Sequence, residues 1–167
     1  MCIRDRSYVG HIISAEGLKP DPAKVEAILR MPTPTDNQGL RMVNYLQKFT
    51  SGLSEVTKPM RDLLKEDVEF VWDEVVHGER FKRMKAVIAS APVLKFFETS
   101  VEVVVQCDVS QHGLGACLMQ NGQPLAYASR SPTPAESKYV QIEKELLARV
   151  FGVEKFESYV YGKRFKP

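Results

Sequence analysis

The chain has 167 residues, 44% of them hydrophobic and 26% charged, and a net charge of +2. That composition excludes a disordered or fibrous chain and supplies one domain or two small ones. Three cysteines (Cys2, Cys107, Cys117) make no disulfide framework and point to a reducing compartment. No apolar run is long enough to span a membrane, no secretory signal is visible, and the charges form no basic block, although a local groove stays open.

The first six residues, MCIRDR, carry neither periodicity nor a cap. They look like the translation of a sequencing-library adapter end, so residues 1–6 are set aside as a non-native scar. Tyr8 to Ser14 is apolar and β-branched with Gly17 after it, which predicts a strand and a turn, half of a hairpin. Asp21-Pro22 reads as an N-cap followed by proline at the first helical position, with Val25, Ile28 and Leu29 as the inward face. Pro32 and Pro34 stop that helix. Thr35 and Gln38 have capping-box spacing and introduce a second helix, with Leu40, Val43, Leu46 and Tyr45 as its stripe, ending near Gly52. A third helix is expected from Ser54 to Lys65 with Val56, Met60, Leu63 and Leu64 inward. After a short extended piece from Glu69 to Trp72, Asp73 caps a fourth helix to about Ser90. Its expected face is Val76, Phe81, Met84, Val87 and Ile88, and Gly78 weakens its first turns.

At ETSVEVVV the period changes from helical to alternating. Val101 to Asp108 predicts a strand, Gly113 and Gly115 a turn, and Ala116 to Gln120 a second strand. Asn121-Gly122 signals a hairpin leading into a third strand from Gln123 to Ser129. Thr133, Pro134 and Glu136 then read as cap, first-turn proline and capping-box acid of a long helix from Ala135 to about Tyr161. Its expected inward residues are Ile142, Leu146, Val150, Val153 and Phe156. Gly162 ends it, and KRFKP starts a further strand. The first strand of this meander is apolar on both faces, so it wants cover on both sides.

Asp108 ends that strand on a charge. A buried carboxylate without a partner is costly. Asp108 is therefore a cap, a turn former bonded to the backbone of Ser110 or Gln111, or a ligand for a cation. The second role needs another acid, and the long helix offers Glu143 and Glu145. If Ile142 and Leu146 face the core, Glu145 lies at the core's edge and Glu143 turns toward solvent. Such a pair suits Mg²⁺, which takes carboxylate oxygens and keeps water. Cys107, His112 and Cys117 mimic the last three ligands of a zinc knuckle, but the first-ligand position is Val104, and a structural zinc site is normally four-coordinate. No zinc site is expected. No glycine-rich phosphate loop, Ser/His/Asp arrangement or Asp-Asp pair is present.

Five blocks in order, YVGHIISAEGLKPDPAKVEAI, MVNYLQKF, SAPVLKFF, QCDVSQHGLGACLMQNGQPLAYASRS and KYVQIEKELLARVFGVEKFESYVYG, resemble the pol polyprotein of Ty3/gypsy-type LTR retrotransposons. The resemblance implies an α+β or α/β chain. Residues 7–17 would be the end of the palm, the primer-grip hairpin, with Tyr8, Gly10 and His11 at nucleic acid. Residues 18–97 would be a mostly helical thumb and connection. Residues 98–167 would be the front of an RNase H-like unit, a three-strand antiparallel meander plus the long helix. It implies Asp108 and Glu145 as the first two catalytic, Mg²⁺-holding carboxylates of two-metal hydrolysis of RNA in an RNA–DNA hybrid. The expected partners are a hybrid or primer/template and the rest of the polyprotein, without a membrane, and the expected location is intracellular, in a cytoplasmic retrotransposon particle. The parent copies RNA to DNA and cleaves hybrids. This chain lacks the polymerase Tyr-x-Asp-Asp motif, and the later RNase H acids would fall beyond Pro167. It is expected to be inactive by itself, with non-catalytic nucleic-acid binding or a purely structural role as the alternatives. One helical turn of the family pattern is missing between Gly39 and Met42, Arg149 replaces a usually apolar residue and Gly152 weakens its helix, which suggests a decayed or fragmentary copy.

Overall fold

The computed structural model describes residues 6–8, 11–36, 40, 49–50, 53–64, 68–110 and 112–166. The expected capping box at Thr35/Gln38 and most of the helix after it fall outside these residues. Leu40 and Phe49 are described, and both are buried.

The first sheet is antiparallel, in the order β1 (Arg6–Tyr8), β2 (His11–Ser14), β3 (Gly17–Pro20). The expected strand is thus split in two, and Arg6, set aside with the scar, pairs with Ile13. Ala15 and Glu16 form the turn into β3. Helix α1 (Pro22–Leu29) starts as read: Asp21 is the N-cap, and its carboxylate accepts from the Ala23 N–H at 2.9 Å. Ile28 is buried and Val25 half-buried, but Leu29 is 39% exposed, because the short helix offers its neighbours only a narrow face.

Helix α2 (Leu53–Asp62) buries Val56 and Met60, with Leu63 just beyond its end also buried. Asp73 caps the next helix as expected, accepting from Val75 and Val76 N–H at 2.8 and 3.0 Å. Its first turn, Glu74–Gly78, is π-helical and then becomes α3 (Glu79–Ala89). The wider turn changes the phase, so Val76 is 49% exposed while Phe81, Met84 and Ile88 are buried. Lys85 of α3 donates to the Leu29 and Met31 carbonyls and so closes the C-terminus of α1. These helices and Leu94 form one apolar core.

The second sheet has the order β6-β5-β4-β7, from β4 (Val103–Val109), β5 (Leu114–Gln120), β6 (Gln123–Arg130) and β7 (Phe165–Lys166). The first three form the expected antiparallel meander, and β7 pairs parallel to β4. The Asn121-Gly122 hairpin has φ of 51° and 72°, the left-handed pair that a two-residue primed turn requires. Gly115 lies inside β5 rather than in the turn before it.

The long helix is broken. Thr133 and Glu136 do make the reciprocal cap, but it closes only a 3₁₀ turn, Glu136–Lys138. Tyr139 and Val140 are extended, and then come α4 (Gln141–Lys155) and a short α5 (Glu157–Val160). The inward face is also corrected. Ile142, Leu146 and Val150 are 61%, 54% and 53% exposed; Phe156 is buried and Val153 half-buried as expected, and the rest of the face is made by Ala148 and Gly152. Small residues win because the helix sits close on the sheet. A Cβ on Gly152 would come 2.6 Å from Cys107 Sγ and 3.1 Å from Val105. Gly152 is therefore a packing requirement, not a weak spot.

Helix α4 covers the sheet face of Val103, Val105, Ala116 and Leu118. The helical module reaches the opposite face: Tyr127 packs against the helical core, Arg61 Nη2 donates to Ser131 Oγ at 2.9 Å, and Lys58 Nζ lies 3.1 Å from His112 Nδ1. The earlier helices thus reach β6 and the β4–β5 turn on that face, while Gln106 and Asp108 of β4 border an open hollow there.

After β6, the Arg130 guanidinium forks onto Glu136 at 2.7 and 2.9 Å. Those bonds hold the Glu136 carboxyl at about 2, below its ordinary 4.5. A depressed acid stabilises the fold above its unfolded value and loses that contribution as pH falls through its folded value. Acid unfolding followed by circular dichroism is expected to steepen between pH 4.5 and about 2, and Glu136→Gln to remove that component.

A carboxylate cleft between strand and helix

Asp108 pairs through its backbone with Gly115, one residue from the end of β4. Alternation turns Cys107 toward α4 and leaves Asp108 exposed at the sheet rim. The turn that follows is held by Ser110, whose N–H and hydroxyl both donate to the Gly113 carbonyl, at 2.9 and 3.4 Å. Ser110 Oγ also accepts from the His112 N–H at 3.3 Å. Among the described residues the Asp108 carboxylate accepts no hydrogen bond and makes no ion pair, so it is not bonded to Ser110; Gln111, the other expected partner, lies outside the described residues.

Glu143 and Glu145 separate by role. Glu143 reaches back to the start of α4, where its Oε2 accepts from the Val140 N–H at 3.0 Å. It is the capping acid. Glu145 accepts one long contact, 3.4 Å, from Gln141 Nε2. The premise that Ile142 and Leu146 face the core fails. Glu145 still flanks the contact face, because Ala148, three residues on, is buried against the sheet.

An open cleft of about 250 Å³ is lined by Asp108 and Glu145, together with Cys107, Val109, Gln141, Ala148 and Arg149. Asp108 and Glu145 therefore border one open volume between the end of β4 and the first half of α4. Asp108 also borders a second hollow, about 380 Å³, on the opposite sheet face, with Glu55, Cys117 and Tyr127 among its walls. Two carboxylates and an amide suit a hard divalent cation that keeps much of its water. Among the described residues no group of three or more His, Cys, Asp or Glu side chains is placed to hold a metal. Cys107 faces α4, while Cys117 lines the opposite face beside Tyr127, where burial raises its thiol to about 11.

The other sequence candidates are apart from this cleft. His11 is buried, its ring edge-on to Phe49 at 5.1 Å. Tyr8 pairs with His11 through the backbone, and Gly10 lies outside the described residues. Sequence reasoning missed Gln141 as a partner of Glu145. The signal was present as the spacing of four residues, which puts the two on one helix stripe.

The family described as RNase H-like domain found in reverse transcriptase matches residues 72–166. The retrovirus-related Pol polyprotein from transposon 297 of Drosophila melanogaster is 34% identical over 97% of this chain and 16% of that protein. The corresponding polyprotein from transposon gypsy of the same organism is 31% identical over 94% of this chain and 17% of its own length. The transposon Tf2-3 polyprotein of Schizosaccharomyces pombe is 29% identical over 92% of this chain and 12% of its length. Among solved structures, foamy viral protease-reverse transcriptase in complex with RNA/DNA hybrid superposes with a TM-score of 0.83 at 21% identity, over 96% of this chain and 23% of that one. The chain thus spans about one sixth of the two fly polyproteins. No helix among the described residues is long and apolar enough to cross a membrane.

Proposed function

Because this chain belongs to the RNase H-like domains found in reverse transcriptase, in the setting of LTR retrotransposon pol polyproteins, we propose that Asp108 and Glu145 are metal-holding carboxylates of a ribonuclease H site. The parent polyprotein then hydrolyses the RNA strand of RNA–DNA hybrids and copies RNA into DNA. The observation that carries this reading is one cleft lined by a strand-end aspartate, bonded to no described residue through its carboxylate, and a helix-edge glutamate. Mg²⁺ held there supplies, when bound, an activated water and stabilisation of the leaving oxygen. The chain's own residues bind and orient. Asp108 presents its carboxylate from the rigid end of a strand in the middle of a sheet. Gln141 steadies Glu145 from one helical turn before it. Ala148 and Val109 wall the cleft with apolar surface. RNA–DNA hybrid and the remainder of the polyprotein are the proposed partners.

Two carboxylates hold one hard cation weakly and place a second poorly. The 167 residues alone are therefore expected to leave a hybrid uncut, while a longer pol segment carrying this sequence cuts it with Mg²⁺. In that longer segment Glu145→Gln should remove cleavage. Glu143→Gln should retain it with little change in stability, since an amide oxygen can still accept from the Val140 N–H. Equal loss of cleavage in both variants would contradict the assignment of Glu145. So would robust cleavage by the short chain that survives Glu145→Gln.

A further inference from the structure

The carboxylate cleft also contains a cation. Arg149 stands one helical turn beyond Glu145 on α4 and lines the same volume as Asp108, Gln141 and Glu145. Glu145 precedes it by four residues, the orientation that favours pairing along a helix. Yet among the described residues no ion pair joins Arg149 to Glu145 or to Asp108. The guanidinium is exposed, always charged and forked, a shape that matches two oxygens of a phosphate.

We propose that Arg149 takes a backbone phosphate of the bound nucleic acid beside the two acids. This rests on reading the cleft as a ribonuclease site. Two carboxylates repel a phosphate when no metal neutralises them. A guanidinium in the same cleft offsets that repulsion and gives the strand a fixed point one helical turn from Glu145. Arg149 is then a substrate contact, and its contribution is present without Mg²⁺.

The test is fluorescence anisotropy of a labelled RNA–DNA hybrid with the full 167-residue chain in excess EDTA, across a salt series. Arg149→Leu should weaken binding about five- to tenfold near 0.1 M salt and flatten the slope of log K against log salt by about one. Arg149→Lys should keep the slope and recover part of the affinity, since it keeps the charge and loses the fork. Arg83→Leu, an exposed arginine on α3 outside this cleft, should change little. The proposal is overturned if the unaltered chain does not bind the hybrid, if Arg149→Leu binds like the unaltered chain, or if Arg83→Leu loses as much. Because this readout contains no metal, it is separate from the Mg²⁺-dependent cleavage that tests the ribonuclease reading. A Mg²⁺-free loss in Arg149→Leu supports the phosphate contact even where cleavage never appears.

Discussion

Asp108→Asn, placed in a longer pol segment that cleaves RNA–DNA hybrid, is expected to lower the Mg²⁺-dependent rate by about 10³-fold or more, the scale at which removing one preorganised charged partner acts on a transition state. Asparagine keeps the shape of the side chain and removes its charge and one acceptor. The structure makes this a clean substitution. The Asp108 carboxylate holds no described residue in place, its backbone pairing with Gly115 does not depend on the side chain, and Ser110 keeps the turn closed. The thermal midpoint of the variant should therefore match that of the parent. If the rate survives, Asp108 is only an exposed strand-end acid. If the rate and the fold fall together, the loss is structural and the metal role is unsupported.

The second large effect concerns Gly17. Its φ of +140° is one that side chains rarely adopt, and a Cβ there would lie 2.1 Å from the Leu94 carbonyl oxygen and 3.0 Å from its carbon. That neighbour is backbone, and it is fixed. Leu18 and Leu94 exchange two hydrogen bonds, at 2.7 and 2.9 Å, and Leu94 is buried in the helical core. Gly17→Ala must break this bridge or distort the hairpin, so it should cost about 3 kcal/mol or more. For a chain of this size that is roughly a 10 °C fall in thermal midpoint. Gly122→Ala is the control: its φ is +72° and nothing lies within 4 Å of the added Cβ. Only left-handed strain of about 1–2 kcal/mol remains there. Equal effects at the two glycines would show that the contact with Leu94 does not matter.

What could be read from the sequence is what short-range chemistry decides. Asp21-Pro22, Asp73 and Asn121-Gly122 act within a few residues, and the structure uses each as read. The alternation of Val103 and Val105 likewise placed β4. The face of α4 was misread because periodicity identifies an apolar stripe without saying which way it points. Ile142, Leu146 and Val150 form that stripe, yet close packing selects Ala148 and Gly152 for the sheet. The π-helical start of α3 was equally hidden, since one wider turn moves Val76 out of phase with Phe81. The contacts between the helical module and the second sheet join residues 54 and 70 positions apart, and no local pattern announces them. In the candidate site, Asp108 stood out because a strand rarely ends on an unneeded charge. Glu145 is preferred to Glu143 by the resemblance and by a face argument whose premise fails; the structure adds that Glu143 is engaged in capping α4.

The central claim is that Asp108 and Glu145 serve one cation in one cleft, and substoichiometric Mn²⁺ in an NMR spectrum of the 167-residue chain tests it most directly. Mn²⁺ takes the same oxygen ligands as Mg²⁺ and broadens amides near it even when weakly held. The expected result is simultaneous broadening at Cys107–Val109 on β4 and at Gln141–Arg149 on α4, reversed by excess Mg²⁺ and lost from both elements in Asp108→Asn. Broadening confined to one of the two elements, or unchanged by Asp108→Asn, would contradict it.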